Sequence, residues 1–112
     1  MVKAHKRPTR GEIWLVALDP TVGSEIQKTR PCVIVSPPEI NDHLRVFLVA
    51  PLTSGSRPAP FRIATQVGGK DGLMLLEQIR SVDGNRLVKK IGQLDRLTLQ
   101  AALGVLRALF AD

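Results

Sequence analysis

The chain has a single cysteine, Cys32, so it can close no internal disulfide. It has two histidines, His5 and His43, far apart in sequence. No Cys/His cluster has zinc-ligand spacing, so no metal and no cofactor are expected. No stretch is long or apolar enough to span a membrane, and the longest apolar run, around residues 72–76, is strand-sized. The basic N-terminus lacks the apolar region of a secretion signal, so a cytoplasmic location is expected. There is no internal repeat and no low-complexity segment.

What is present fits one small domain. The chain has 112 residues, and an apolar fraction of 44% is enough for a real core. The net charge of +6 and a pI near 10.3 point to a polyanionic partner. Lys3, Lys6, Arg7 and Arg10 carry four of those charges, and residues 1–10 contain no acid. That segment is expected to be a flexible basic arm, either solvated or touching nucleic acid, with residues 11–112 as the folded domain.

Residues 12–18 hold Trp14 and β-branched side chains, which suit a first strand. A polar loop follows at 19–29, where Asp19-Pro20 starts a turn and Gly23 relaxes the chain. A small domain rarely keeps so long a loop unless it serves a site. Residues 31–36 are almost all apolar and predict a strand buried on both faces. Pro31 at its first position costs no interior ladder bond. One helical turn at 39–43, a strand at 45–51, a Gly/Ser/Pro loop at 53–60 and a short strand at 61–64 come next. Gly68, Gly69, Asp71 and Gly72 mark a turn. Residues 73–76 then lead into 78–82, Asp83-Gly84-Asn85 reads as a hairpin turn, and 87–94 is the last strand. Asp95 fits a helix N-cap. Leu99, Ala102, Leu103, Leu106, Leu109 and Phe110 recur at helical spacing over 96–110, a stripe expected to be buried. Many short strands followed by one amphipathic helix favour a mostly antiparallel barrel with the helix laid against it.

Arg30 precedes Pro31, which pushes its backbone toward an extended shape. Its planar fork suits bidentate contact with a phosphate. An exposed ion pair, here with Glu25, is the commoner use of such a residue. Thr53 follows a buried strand, and its hydroxyl and the Ser54 amide could face outward together. Alternatively, the hydroxyl bonds its own turn. Glu25 and Glu77 could accept a proton or orient an arginine, or simply be solvated. His43 is read as a bystander in a surface turn, Trp14 as core, and Cys32 as an inert core thiol.

With these residues in view, the sequence resembles the MazF/PemK (Kid) family of toxin endoribonucleases from type II toxin–antitoxin systems. The resemblance runs from about Arg10 to the C-terminal helix. It is carried by RGEIWLVALDP, GSEIQKTRP, CVIVSP, APLTS, EQIRSVD and KKIGQL, in that order.

The resemblance implies an SH3-like, partly open antiparallel barrel (CcdB/PemK-like) with a C-terminal α-helix, working as a homodimer. It implies metal-independent, sequence-specific cleavage of single-stranded RNA, chiefly messenger RNA. The 2′-hydroxyl attacks the adjacent phosphorus, leaving a 2′,3′-cyclic phosphate and a 5′-hydroxyl. A cognate antitoxin would block the same groove, and any DNA contact would come only through that antitoxin. The family's catalytic arginine falls on Arg30, its catalytic threonine on Thr53 and its first-loop glutamate on Glu25. The PemK-type histidine position reads Ser24, and that branch's arginine and aspartate positions read Leu75 and Glu77. The Arg/Thr set is therefore the one expected to act.

Because an arginine stays protonated in proteins, Arg30 is expected to stabilise charge, Thr53 to hold a non-bridging oxygen, and Glu25 to take the 2′-hydroxyl proton or align Arg30. Lys28, Ser54, Arg57, Arg62, Glu77, Gln78 and Arg80 are the expected RNA contacts, with the loops 19–29 and 53–60 reading unstacked bases. Two rivals are a non-catalytic gyrase poison of the CcdB type and a catalytically inactive RNA-binding barrel. The first is expected to end in a Trp-Gly-Ile-type sequence, whereas this chain ends LRALFAD.

Overall fold

β1 (Glu12–Ala17) runs with both faces covered. Successive side chains of a strand point to opposite faces. Accordingly Ile13 joins one buried cluster, while Val16, with Leu18 just beyond the strand, joins another. The computed structural model describes residues 7–112. Its elements continue with β2 (Thr29–Ile34), a helical turn α1 (Pro38–Asn41), β3 (Val46–Thr53), β4 (Arg62–Val67), β5 (Lys70–Leu75), β6 (Arg80–Asp83), β7 (Leu87–Gln93) and the helix α2 (Arg96–Leu109).

All strand pairs are antiparallel, in the order β4-β5-β3-β2-β1-β7, with β6 also beside β3. This order forces curvature. β6 and β7 lie on opposite flanks of β3-β2-β1, yet only residues 84–86 join them. Four strand spacings in a flat sheet are about 19 Å. The four peptide steps from Asp83 to Leu87 reach about 14 Å at most. The sheet must therefore curl until its flanks approach, giving a partly open barrel.

The inside of the curl holds Val16, Leu18, Cys32, Ile34, Phe47, Val49 and Val82. The other face of the same strands supplies Ile13, Val33, Val35, Ala50 and Leu52, which pack with Met74, Leu76 and Leu94 and with Ala102 of α2. Asp95 caps α2 by accepting a hydrogen bond from the Thr98 amide at 2.7 Å, as its position before the helix predicts.

Several local expectations are corrected. β2 begins at Thr29, so Pro31 is its third residue and pairs with Leu15. The hairpin turn is confined to Gly68 and Gly69, both at positive φ, and Asp71 and Gly72 belong to β5. Residues 83–85 do turn, with Asp83 accepting from the Asn85 amide at 2.8 Å, but β6 and β7 do not pair with each other. The turn was legible, whereas the partner strands are set by the closure of the sheet. The α2 stripe is buried only in part: Leu99, Ala102 and Leu106 pack inward, but Leu109 is 45% and Phe110 76% exposed.

Residues 1–6 of the expected arm lie outside the described residues. Residues 7–10 lie against the body. Arg7 donates to the Asn41 and Leu44 carbonyls at 2.6 Å each, and Arg10 donates to the Val35 carbonyl at 3.0 Å.

Candidate functional site

The β2–β3 register pairs Cys32 with Pro51, Val33 with Ala50 and Ile34 with Val49. The ladder ends at Cys32 and Pro51, and Arg30 and Thr53 each lie two residues beyond it, Arg30 paired with Val16 of β1 and Thr53 with Leu73 of β5. Alternation puts Arg30, Cys32 and Ile34 on one face of β2, and Val49, Pro51 and Thr53 on the matching face of β3. That face is the inside of the curl, so Arg30 and Thr53 stand at its open end, above the buried cluster.

Both side chains keep unused donors. Arg30 is exposed, and its Nε donates to the Gln27 carbonyl at 3.2 Å. A guanidinium has five N–H groups, so the terminal nitrogens remain available. Among the described residues Arg30 has no ion-pair partner, so the pairing with Glu25 is not formed. The Thr53 Oγ1 accepts a hydrogen bond from the Gly55 amide at 3.2 Å. The turn reading of Thr53 is thus realised, and the hydroxyl proton is still free to be donated. Gly72 allows β5 to crowd this point, since a Cβ there would sit 3.1 Å from the Thr53 carbonyl oxygen.

The long loop is pinned at several points. The Leu18 amide donates to the Lys28 carbonyl, and the Lys28 amide to Asp19 Oδ1, each at 2.9 Å. Lys28 itself adopts positive φ at 70°. The Ile26 amide donates to Gln78 Oε1 at 2.9 Å, and the Ile26 side chain packs on the inner cluster. Glu25 Oε1 accepts from the Val22 amide at 2.7 Å, leaving its second oxygen unbonded. Glu25, Pro51, Gln78 and Arg80 share a cleft of about 300 Å³. Neither Arg30 nor Thr53 lines that cleft.

Arg80 lies opposite Val49, and its Nη1 donates to the Leu18 carbonyl at 3.1 Å. Arg86 was missed by the sequence reading. Its Nη1 donates to the Ala17 carbonyl at 2.9 Å and to the Asp19 carbonyl at 2.5 Å. Two arginines therefore clamp the start of the loop across more than sixty residues of sequence. No local signal marks Arg86 for this, because the contact is made by sheet closure.

The remaining expected contacts divide. Arg62 binds Glu77 Oε2 at 2.5 Å and the Arg57 carbonyl at 2.9 Å, so Arg62 and Glu77 neutralise each other and tie down the loop before β4. Gln78 spends its side-chain oxygen on Ile26. These three residues first hold the site together, a role that correct spacing alone does not reveal. Ser54 and the Arg57 side chain are exposed on their loop. Burial pushes the Cys32 thiol up to about 12, with Arg80 pulling the other way, so it is protonated at neutral pH and no nucleophile. Trp14 is only half-buried. It faces a second, larger cleft of about 940 Å³ at the far end of β3 with Phe47, Arg45 and Lys90. His43 is exposed and remote, as read. Among the described residues no three His, Cys, Asp or Glu side chains are grouped as metal ligands, and no helix is long and apolar enough to cross a membrane.

Comparison with known proteins agrees with this geometry. Residues 9–110 match the family model for the PemK-like, MazF-like toxin of type II toxin–antitoxin systems. Endoribonuclease PemK of Escherichia coli is 41% identical over 88 residues, spanning 74% of this chain and 66% of its own length, just under two thirds. Endoribonuclease MazF9 of Mycobacterium tuberculosis is 39% identical over 100 residues, spanning 80% of this chain and 85% of its own. The crystal structure of MazF (Form-I) from Deinococcus radiodurans superposes with a TM-score of 0.83 at 24% identity, covering 94% of this chain and 97% of the other, which shows a shared fold. With a matching family model over nearly its whole length and this curled sheet beneath it, the chain belongs to the PemK-like, MazF-like toxins of type II toxin–antitoxin systems.

Proposed function

We propose that this toxin endoribonuclease cuts single-stranded RNA at the Arg30–Thr53 end of the sheet, by attack of a ribose 2′-hydroxyl on the neighbouring phosphorus. The observation that supports the reading is that a guanidinium and a hydroxyl, each with donors to spare, both lie two residues past the Cys32–Pro51 pair on the same face of adjacent strands. The terminal N–H groups of Arg30 reach one non-bridging oxygen and the charge that develops on the phosphorane. The Thr53 hydroxyl donates to the other. Such donors act most strongly when they are held in place before the reaction. Arg30 is held by its strand and the Gln27 carbonyl, and Thr53 by its strand and Gly55.

Glu25 is the base in this reading. Its free oxygen takes the 2′-hydroxyl proton, and the 5′-oxygen leaves as a hydroxyl with a proton from water. The bond broken is phosphorus to 5′-oxygen, the bond made is phosphorus to 2′-oxygen, and no co-reactant is required. Lys28, Arg57 and Arg80 supply phosphate contacts, so binding weakens as salt rises.

The family relationship supports a protein antitoxin as partner, covering this same end of the sheet. The homodimer and the messenger RNA target are carried forward from the resemblance, and light scattering at twice 12.2 kDa tests the first. The reaction is tested by incubating the purified chain with a long unstructured RNA in EDTA and mapping the ends. Cuts bearing 2′,3′-cyclic phosphates and 5′-hydroxyls are expected. Intact RNA, or 3′-hydroxyl ends, would overturn the reading.

A further inference from the structure

A separate cleft of about 600 Å³ opens on the other side of Thr53, between the loop that follows it and the β4–β5 hairpin. Its lining includes Ser54, Ser56, Gln66, Asp71, Gly72 and Leu73. Leu73 is the cross-strand partner of Thr53, so the cleft begins one residue from the reacting end of the sheet.

Three features define what the cleft accepts. Its lining has no cation and includes the Asp71 carboxylate, so a phosphate is repelled. Most of its lining residues are small, Ser54, Ser56, Ala64, Thr65 and Gly72 among them, which leaves room for a flat ring. The acceptor is oriented: Gln66 and Asp71 are register partners, and Gln66 Nε2 donates to Asp71 Oδ1 at 2.7 Å. That contact leaves Asp71 Oδ2 and Gln66 Oε1 as paired acceptors.

Building on the endoribonuclease reading, we propose that this cleft seats a base flanking the scissile phosphate and selects one bearing an exocyclic amino group: adenine, cytosine or guanine. The amino group donates to Asp71, as carboxylates accept from cytosine N4 in other settings. Uracil offers carbonyl oxygens where the amino groups would be, and these face the carboxylate unfavourably. A single-stranded RNA splays its bases out for such edge recognition. Arg30 and Thr53 thus act on the backbone, and the β4–β5 hairpin reads sequence beside them.

The test is cleavage of a randomised RNA pool, with the cut ends sequenced, by the wild-type chain, Asp71→Asn and Gln66→Ala. Both positions are exposed, so neither substitution disturbs packing. The wild-type chain is expected to disfavour uracil about tenfold at one position next to the cut, the scale of one good side-chain-to-base contact. Asp71→Asn adds a donor and should raise the share of uracil there about tenfold. Gln66→Ala frees the carboxylate and should blur the same position less. If the wild type cuts with no bias against uracil beside the cut, or if both variants keep its base profile everywhere, the cleft does not read a base. If the wild-type chain cuts no RNA, the endoribonuclease reading falls, and this inference with it.

Discussion

Arg30 on β2 and Thr53 on β3 each lie two residues beyond Cys32 and Pro51, the last pair of the β2–β3 ladder, and each is anchored by one backbone hydrogen bond that leaves donors unused. The anchors sit inside the molecule's own turns, so both side chains are set before any RNA arrives.

Thr53→Val keeps the shape and removes the hydroxyl. The rate of cleavage should fall by about 10², the low end for loss of one preorganised donor. Thr53→Ser should recover most of it. Single-turnover cleavage of one RNA by the three chains, with melting temperatures alongside, separates lost chemistry from lost fold.

Glu25→Gln keeps the acceptor for the Val22 amide and removes the proton acceptor. The glutamine variant should cut far more slowly than the wild-type chain in single-turnover assays while melting as it does. A full rate in the variant would remove Glu25 from the mechanism.

Arg86→Ala cuts both bonds to the Ala17 and Asp19 carbonyls. Bonds to a charged group contribute about 1.5–3 kcal/mol each, so a loss of at least that order is expected in denaturant unfolding. Amide hydrogen exchange should rise across 19–28 more than elsewhere. Arg86→Lys should restore stability in part, since it keeps the charge but not the fork.

Acid should weaken the fold in a defined window. Burial raises the Glu12 carboxyl, but hydrogen bonds from the Trp14 indole, from Thr9 and from Lys90 outweigh it and hold Glu12 below its ordinary 4.5. Bonds from Thr98 hold Asp95 below 3.8. A carboxyl lowered in the folded state stabilises fully above its unfolded value and stops doing so as pH falls through the folded one. Melting temperature should therefore be level from neutrality to about pH 5 on this account, then decline. Glu12→Gln should melt lower at pH 7 and show a shallower acid decline.

The sequence made the periodic parts of the fold legible. The apolar core of β2, the Asp95 cap and the order of strands before one helix all follow from local chemistry. Non-local facts were not legible. The turn at Asp83 is written in the residues, but its flanking strands belong to β3 and β1, because the sheet closes on itself. The same closure brings Arg86 to residues 17–19, 67 to 69 positions away. The proposed roles of Arg30, Thr53 and Glu25 come from the family resemblance and from the first loop, and the tests above decide them. That Arg62, Glu77 and Gln78 spend their polar groups on the scaffold could be seen only once the loops were in place.

The most direct measurement is the single-turnover cleavage rate of Arg30→Ala against the wild-type chain on one unstructured RNA in EDTA. Arg30 is exposed, so the variant should fold and melt as the wild type does. The rate should fall by about 10²–10³, the usual cost of removing a preorganised electrostatic donor. A variant that folds and cuts the same bonds at the wild-type rate would contradict the account.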